Sequence, residues 1–466
     1  MYDARNDNSA TGGEFGLSRR RLLIGAAAGT AVGMLSAPAR ATGLATRRVS
    51  AVAAGTASSS SGVSGRFRPR FEGVYQEFVR NFAERGEVGG SVCVIWEGET
   101  VVDLWGGVAR TDTATPWDAD TLTHVWSSTK GATALCAHLL ADRGLLNLDA
   151  PVVQYWPEFG QAGKDAITVA MLLSHQAGLP AVRAPLPAGA FYDWDLMTSS
   201  LAAEAPFWEP GTRNGYHALT FGFLVGEVVR RVSGKSLGTF FRDEIATPLG
   251  LDFWIGLPEE EEARVAPQIP ADPGPLPAFY LEAFSDPTSI PGLVVFNSGG
   301  YLNPGEADTR AAHAAEIGAA GGITNARGLA EMYASLAGSR RDALVGDDTL
   351  VRMGRAVSAT GQDATVLVPS RFAAGYVKST DNRRRPTGDR DSVIFSEEAF
   401  GHIGFGGSIG FADPRARMSF GYAMNKMGGG IALNPRGQSL IDAVYQSLGY
   451  TSDTSGSWVT PKRRRS

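Results

Sequence analysis

The sequence predicts an α+β fold: an antiparallel sheet flanked by helices, with a mainly helical domain inserted into it. Apolar, strand-like segments occur near both ends of the chain, at residues 91–105 and 408–424. The region between them is helical and rich in loops, so the two ends are expected to build one sheet together. With 466 residues, 43% of them hydrophobic and 20% charged, the chain can bury a large core, as one large domain or two intimate ones.

The first 41 residues have the pattern of a signal peptide. Arg19 and Arg20 precede an apolar stretch that ends near Leu35, and small residues at 37–41 offer a cleavage site. The paired arginines favour the twin-arginine route, so we expect export to the periplasm or beyond. A membrane anchor is less favoured, because the stretch falls short of the ~20 residues that span a bilayer. No stable membrane span is therefore expected after cleavage.

Composition divides the rest of the chain. Residues 42–65 are mostly Ala, Ser, Gly and Thr, and they are expected to form a flexible linker. The main domain is predicted over 66–450, and a polar tail over 451–466. Within the domain, the parts are expected at these positions: the sheet part at about 66–146 and 370–450, and the helical part at about 147–369.

Each element follows from its periodicity. Apolar residues recur at helical spacing from Phe71, where order is expected to begin, to Phe82. Residues 91–96 and 100–105 are predicted to pair as an antiparallel hairpin around the turn at 97–99. By the same criteria, helices are predicted at 127–145, 168–174, 219–232, 328–336 and 438–448, and strands at 408–412 and 418–424.

Charge and cysteine usage exclude some classes of function. The formal net charge of −5 does not support a nucleic-acid partner. Cys93 and Cys136 lie in apolar strand and helix patterns, which favours two buried thiols over a disulfide. No group of cysteines and histidines has metal-ligand spacing, so we expect no metal and no cofactor.

Ser127 and Lys130 form the first motif that indicates a catalytic function. They stand three residues apart at the start of a predicted helix, so the hydroxyl and the amine share one face. A serine becomes a good nucleophile only when a nearby base takes its proton, and a helix N-terminus adds a positive field there. Alone, the S-x-x-K pattern is frequent by chance, and an N-capping serine is the simpler explanation.

Two downstream segments favour a catalytic serine over an N-capping one. Tyr216 lies just before the helix predicted at 219–232 and could complete a Ser–Lys–Tyr proton relay. The glycine-rich segment 401–408 leads into a predicted strand, where glycine lets a substrate lie against the backbone.

In order and spacing, these segments resemble the motifs of class C β-lactamases, DD-peptidases and, most closely, family VIII carboxylesterases. The family's S-x-x-K looks like Ser127–Lys130, its Y-x-N like Tyr216–Ala218, and its K-T-G like His402–Gly404. The resemblance covers roughly Phe71 to Tyr450. It implies the β-lactamase/DD-peptidase fold and a covalent acyl-enzyme mechanism.

Carried over from that resemblance, Ser127 attacks the carbonyl of a small ester or amide while Lys130 and Tyr216 share the proton transfers. The backbone N–H groups of Ser127 and Phe405 would form the oxyanion hole. His402, Gly404 and Ala218 would contact the substrate.

Two departures from the family pattern bear on the activity. Ala218 replaces the asparagine of Y-x-N, and His402 replaces the lysine of K-T-G. A neutral imidazole binds a carboxylate less well than a permanent cation, so a carboxylesterase is favoured. A penicillin-recognising DD-peptidase or weak β-lactamase is the alternative. A non-catalytic binding or scaffold member is a further one, which the intact Ser127, Lys130 and Tyr216 argue against. The acyl chain length and the oligomeric state stay open.

Overall fold

The strands of the main sheet come from both ends of the chain. A computed structural model describes residues 55–56, 62–338, 343–385, 390 and 392–460. Fourteen strands occur in the described residues: β1 (Gly55–Thr56), β2 (Val63–Phe67), β3 (Gly89–Trp96), β4 (Glu99–Arg110), β5 (Thr115–Pro116), β6 (Leu122–His124), β7 (Phe253–Ile255), β8 (Val265–Ala266), β9 (Gly322–Thr324), β10 (Ser358–Thr360), β11 (Ser370–Phe372), β12 (Phe400–Ile403), β13 (Ile409–Asp413) and β14 (Met418–Met424).

One antiparallel sheet dominates the architecture. Its strand order is β1-β2-β4-β3-β14-β13-β12, with β5 paired to β4. Strands from the two ends meet where β3 pairs with β14, and Val94 lies opposite Phe420 there. The prediction of one sheet assembled from both ends of the chain is confirmed. Two smaller sheets have the orders β7-β9-β6-β8 and β10-β11.

Helices cover the sheet and fill the region between its halves. The described residues contain thirteen α-helices: α1 (Glu72–Glu84), α2 (Thr129–Asp142), α3 (Val169–Leu173), α4 (Trp194–Ala203), α5 (Thr220–Ser233), α6 (Leu237–Phe241), α7 (Thr247–Leu249), α8 (Ala278–Ser285), α9 (Ile290–Phe296), α10 (Arg310–Ala314), α11 (Ala326–Ala334), α12 (Asp347–Gly354) and α13 (Pro435–Ser447).

The main sheet is buried on both faces. Helices α1 and α13 cover one face, with Phe78 and Leu440 in the same apolar cluster as strand residues of the sheet. Helix α11 covers the other face, where Ala330 packs beside Cys93. Because both faces are covered, β3 is buried along nearly its whole length, as a continuous apolar run requires. Cys93 and Cys136 are both buried and unbridged, as predicted.

Helix α2 is the central element of the helical part. Every residue from Thr129 to Leu140 is buried, and the helix packs against α5. Most of its side chains are apolar because neighbours surround the helix, and Lys130, Thr133 and His138 are buried polar exceptions. Its N-terminus also contacts β12 of the main sheet, so the start of α2 lies between the sheet part and the helical part.

Three predicted boundaries differ from the structure. Strand β2 begins at Val63, inside the predicted linker, because Val63 and Phe67 bury their side chains in the core. The predicted tail includes Trp458, which is buried and donates from Nε1 to Asp442 at 3.0 Å. Helix α11 falls in the range predicted for the helical part, yet it packs on the sheet. The signal peptide predicted over 1–41 and most of the 42–65 linker lie outside the described residues.

Among the described residues, no helix combines the length and the apolar character needed to cross a membrane.

Candidate active site

A strained turn presents Ser127 between β6 and α2. Trp126, the preceding residue, has φ of +47°, in the left-handed region that large side chains rarely occupy. Its surroundings hold it there: Nε1 donates to Gln268 Oε1 at 3.2 Å, and the indole packs edge-on against Phe405, 5.6 Å between ring centroids. Strain of this kind persists only where the structure enforces it, and it clusters at functional sites.

The Lys130 amine lies directly beside the Ser127 hydroxyl. Its Nζ is 3.0 Å from Ser127 Oγ and donates to the carbonyl oxygens of Ala218 at 2.7 Å and Ala319 at 2.8 Å. The side chain is fully buried, and the partners of its amine are one hydroxyl and two backbone carbonyls. Burial therefore lowers the pKa of Lys130 well below that of a free lysine. The neutral amine is a base, and the two carbonyls orient it.

Tyr216 completes the group. The ring lies under Lys130, with Nζ 4.7 Å from its centroid, and it lines the same cavity as Ser127. Burial raises the pKa of Tyr216 above its usual value, the Ser127 side chain opposes this rise by hydrogen bonding, and the nearby Asp363 carboxylate reinforces it. The phenol is thus protonated at neutral pH. The structure brings Ser127, Lys130 and Tyr216 together, as the sequence predicted.

Asp363 holds the Tyr216 backbone in place. One carboxylate oxygen accepts from Tyr216 N at 2.9 Å and from the N–H groups of Thr365 and Val366, and the other accepts from Ser370 Oγ at 2.8 Å. The carboxylate lies 147 residues from Tyr216 in sequence. It therefore ties the tyrosine segment to the loop before β11.

A glycine contact brings the second carbonyl to Lys130. Gly222, on α5, lies against the loop that carries Ala319, and a Cβ at that position would lie 2.3 Å from Ala319 N. Only a residue without a Cβ lets the helix and the loop approach this closely.

The segment predicted from K-T-G forms the opposite side of the site. A Cβ on Gly404 would lie 2.2 Å from Val125 O, so this glycine is required by packing against the chain just before Ser127. Ser128 Oγ points to the same segment, donating to His402 O at 3.3 Å, and so turns away from Lys130. Phe405 follows in the turn after β12 and lines the same cavity as Ser127.

His402 is a neutral, buried wall residue. Its Nδ1 lies 2.8 Å from Ile403 O, and its ring stacks on Tyr216 with the centroids 6.0 Å apart. Burial lowers the pKa of His402 to about 3, with the Lys130 charge adding to the effect and the Ile403 bond opposing it. The site therefore has no cation where K-T-G would supply one.

The neighbouring histidines are structural. His217 Nε2 accepts from Leu179 N at 3.0 Å, and its Nδ1 pairs with Gly215 O at 2.7 Å. His175 Nδ1 accepts from His217 N at 3.1 Å, and its ring packs 4.9 Å from that of Tyr216. These bonds fix the loop that carries Tyr216, so both rings have a structural role.

An apolar cavity opens in front of Ser127. Its lining is mainly aromatic and aliphatic, and Ala218, Gly404, Phe405, His402 and Tyr216 all contribute to it. Within the described lining, Arg371 is the one side chain with a full charge, and it is paired with Glu397. The cavity thus suits an uncharged, apolar group.

Several residues of the site were not predicted from the sequence. The Ala218 and Ala319 carbonyls are backbone atoms, which residue identity does not reveal. Asp363 and Arg371 lie in a loop-rich stretch and gave no signal in the sequence. Only the folded chain brings them to Ser127.

The geometry agrees with comparisons to known proteins. Residues 75–441 match the family model described as Beta-lactamase. The esterase/β-lactamase LipL of Mycobacterium tuberculosis is 35% identical over 377 residues, covering 78% of this chain and 83% of that protein.

Solved structures extend the comparison. A family VIII carboxylesterase shares 38% identity with a TM-score of 0.71, covering 83% of this chain and 99% of that one. A penicillin-binding protein homologue from Caulobacter crescentus shares 36% identity with a TM-score of 0.71, covering 83% and 99% respectively. The chain therefore belongs to the β-lactamase family and is a serine hydrolase with the fold of that family.

Proposed function

We propose that this protein is a carboxylesterase that hydrolyses small, uncharged esters through an acyl-enzyme on Ser127. The observation that carries the proposal is the contact of 3.0 Å between Lys130 Nζ and Ser127 Oγ, at the edge of an apolar cavity. The similarity to a family VIII carboxylesterase and to an esterase/β-lactamase supports it.

Lys130 is the base in the first step. As a neutral amine it donates its two N–H bonds to Ala218 O and Ala319 O, which directs its lone pair at the Ser127 hydroxyl. Lys130 takes the hydroxyl proton while Oγ forms a bond to the ester carbonyl carbon. The N–H groups of Ser127 and Phe405 stabilise the resulting oxyanion.

Tyr216 transfers the proton to the leaving group. When the bond between the carbonyl carbon and the alkoxy oxygen breaks, the phenol protonates the alkoxide and recovers a proton from Lys130. Water then attacks the acyl-enzyme with Lys130 and Tyr216 as the base pair, and Ser127 regains its hydrogen as the acid leaves. Hydrolysis is complete and the enzyme is unchanged.

The cavity favours esters over β-lactam antibiotics. His402 is neutral, Ala218 offers no side-chain amide, and Glu397 neutralises Arg371. A carboxylated antibiotic therefore meets no free cation in the described wall, whereas a neutral ester needs none.

Active-site labelling tests the proposal. Wild-type protein should react with a fluorophosphonate, and Ser127→Ala should lose both the label and ester hydrolysis. Ser128→Ala is the matched control, because its hydroxyl bonds to the backbone of His402 and not to Lys130. A label mapped to another serine would contradict the assignment of Ser127 as the nucleophile. A wild-type preference for a chromogenic cephalosporin over p-nitrophenyl butyrate would favour the lactamase or peptidase alternative.

A further inference from the structure

Helices α8 and α9 carry an unusual concentration of exposed apolar side chains. Leu281, Phe284 and Phe296 are 57%, 59% and 52% exposed, and Leu276 just before α8 is 50% exposed. These four are half of the eight large hydrophobic side chains that are exposed among the described residues. We call them the apolar face. Scattered exposed hydrophobics are normal, but a cluster indicates a surface that binds something apolar.

The apolar face is continuous with the catalytic cavity. On the inner side of the same two helices, Phe279, Tyr280 and Val294 line the cavity. The ring of Tyr280 lies 6.4 Å from that of Phe405 and 6.5 Å from that of Phe284.

The Phe284 ring in turn lies 5.6 Å from that of Phe296. A row of aromatic rings thus leads from the wall beside Ser127 to the exposed face. This row offers an acyl chain aromatic contacts from the exposed face to the cavity.

Charge restricts what the face can bind. From residue 265 to residue 309 the chain contains no lysine or arginine, but it contains Asp272, Glu282, Asp286, Glu306 and Asp308. Proteins that bind anionic lipid do so with clustered basic residues, which this segment lacks. A surface without net charge is the partner that matches an apolar face with an acidic border.

We propose that the apolar face docks on the surface of net-uncharged acyl-ester lipid, and that the aromatic row delivers acyl chains from that surface to Ser127. This proposal rests on the esterase function proposed above. It defines the substrate class further, as apolar esters presented in an aggregated layer.

Vesicle binding tests the surface separately from catalysis. Ser127→Ala protein should cosediment with phosphatidylcholine vesicles. Adding Leu281→Ser, Phe284→Ser and Phe296→Ser should weaken this binding at least about tenfold, because each large apolar side chain contributes strongly to transfer out of water. Leu145→Ser, on a leucine that is 56% exposed elsewhere, is the matched control and should bind normally.

Kinetics on two substrates complete the test. In the catalytically competent protein, the triple change should lower hydrolysis of p-nitrophenyl octanoate held in the same vesicles at least about tenfold. Hydrolysis of dissolved p-nitrophenyl acetate should stay within about twofold of the wild type, since none of the three side chains lines the cavity. Equal thermal unfolding of all variants excludes misfolding.

Three outcomes would overturn the proposal: unchanged vesicle binding in the triple variant, binding to phosphatidylglycerol vesicles alone, or a dimer that the triple change dissociates. The last would assign the face to a second copy of the chain. Vesicle binding without hydrolysis of any ester would support the proposed docking surface and contradict the proposed esterase function.

Discussion

The guanidinium of Arg371, in the wall of the catalytic cavity, is held by both carboxylate oxygens of Glu397. One contact, from Nη1 to Oε2, measures 2.8 Å, and the second joins Nη2 to Oε1. This hydrogen-bonded carboxylate raises the pKa of Arg371 and neutralises its charge. The ion pair removes the cation with which a substrate carboxylate could interact.

Glu397→Gln should therefore shift specificity toward carboxylated substrates. We expect kcat/KM for an ester with a free carboxylate to rise about two- to fivefold relative to its uncharged analogue, since a partly exposed pair contributes about 1 kcal/mol or less. The Glu397 backbone carbonyl, which accepts from Lys378, is unaffected by this change. Adding Arg371→Gln should abolish the gain. A gain that survives in the double variant would show that Arg371 is not its source.

Activity should depend on deprotonation of Lys130. Its pKa is lowered by burial, so the base is present above that pKa and lost as the pH falls through it. A profile of kcat/KM for p-nitrophenyl acetate from about pH 5 to about pH 10 should rise with an inflection well below the pKa of free lysine. Lys130→Arg should reduce kcat/KM by about 10²- to 10⁴-fold, because arginine does not deprotonate in proteins.

Lys164 provides a matched control for that experiment. It is also fully buried and donates to backbone carbonyls, those of Gln161, Ala202 and Glu204, but it does not line the cavity. Lys164→Arg should change stability and leave the pH profile where it was. A displaced inflection in the pH profile of Lys164→Arg would contradict the assignment of the inflection to Lys130.

Gly222→Ala should impair both folding and catalysis. The added Cβ would lie 2.3 Å from Ala319 N, so the helix or the loop that supports Lys130 has to move. We expect a loss of about 1–3 kcal/mol in the free energy of unfolding, measured by denaturant titration, together with reduced kcat. Gly73→Ala, on α1 with no atom near the new Cβ, should be neutral or stabilising by up to about 1 kcal/mol. Equal costs at the two glycines would argue against the packing explanation.

We propose that residues 1–41 direct export by the twin-arginine route. Mature protein should then begin near Arg40 or Thr42, as read by N-terminal sequencing, and changing Arg19 and Arg20 together to lysine should block transport. Secretion of the double-lysine variant at the normal level would indicate the general secretory route. Exported protein that keeps residues 1–35 would contradict cleavage.

The fold class and the catalytic group Ser127–Lys130–Tyr216 can be predicted from the sequence alone. Strand patterns at both ends predict one antiparallel sheet, because the continuous apolar runs of its central strands are visible in the order of the residues. The i, i+3 spacing of Ser127 and Lys130 brings their side chains together across the turn that leads into α2, which is also a local effect. These features depend on neighbours in the chain, so they can be predicted without knowledge of the tertiary structure.

The surroundings of that group follow from tertiary contacts. The carbonyls of Ala218 and Ala319 orient Lys130, and Asp363 holds Tyr216 from 147 residues away. Every residue has a backbone carbonyl, so no sequence motif indicates which of them contact Lys130. Whether Arg371 is free or neutralised depends on the approach of Glu397, and the exposure of Phe284 depends on how α8 packs. Each of these follows from long-range contacts, which local periodicity does not encode.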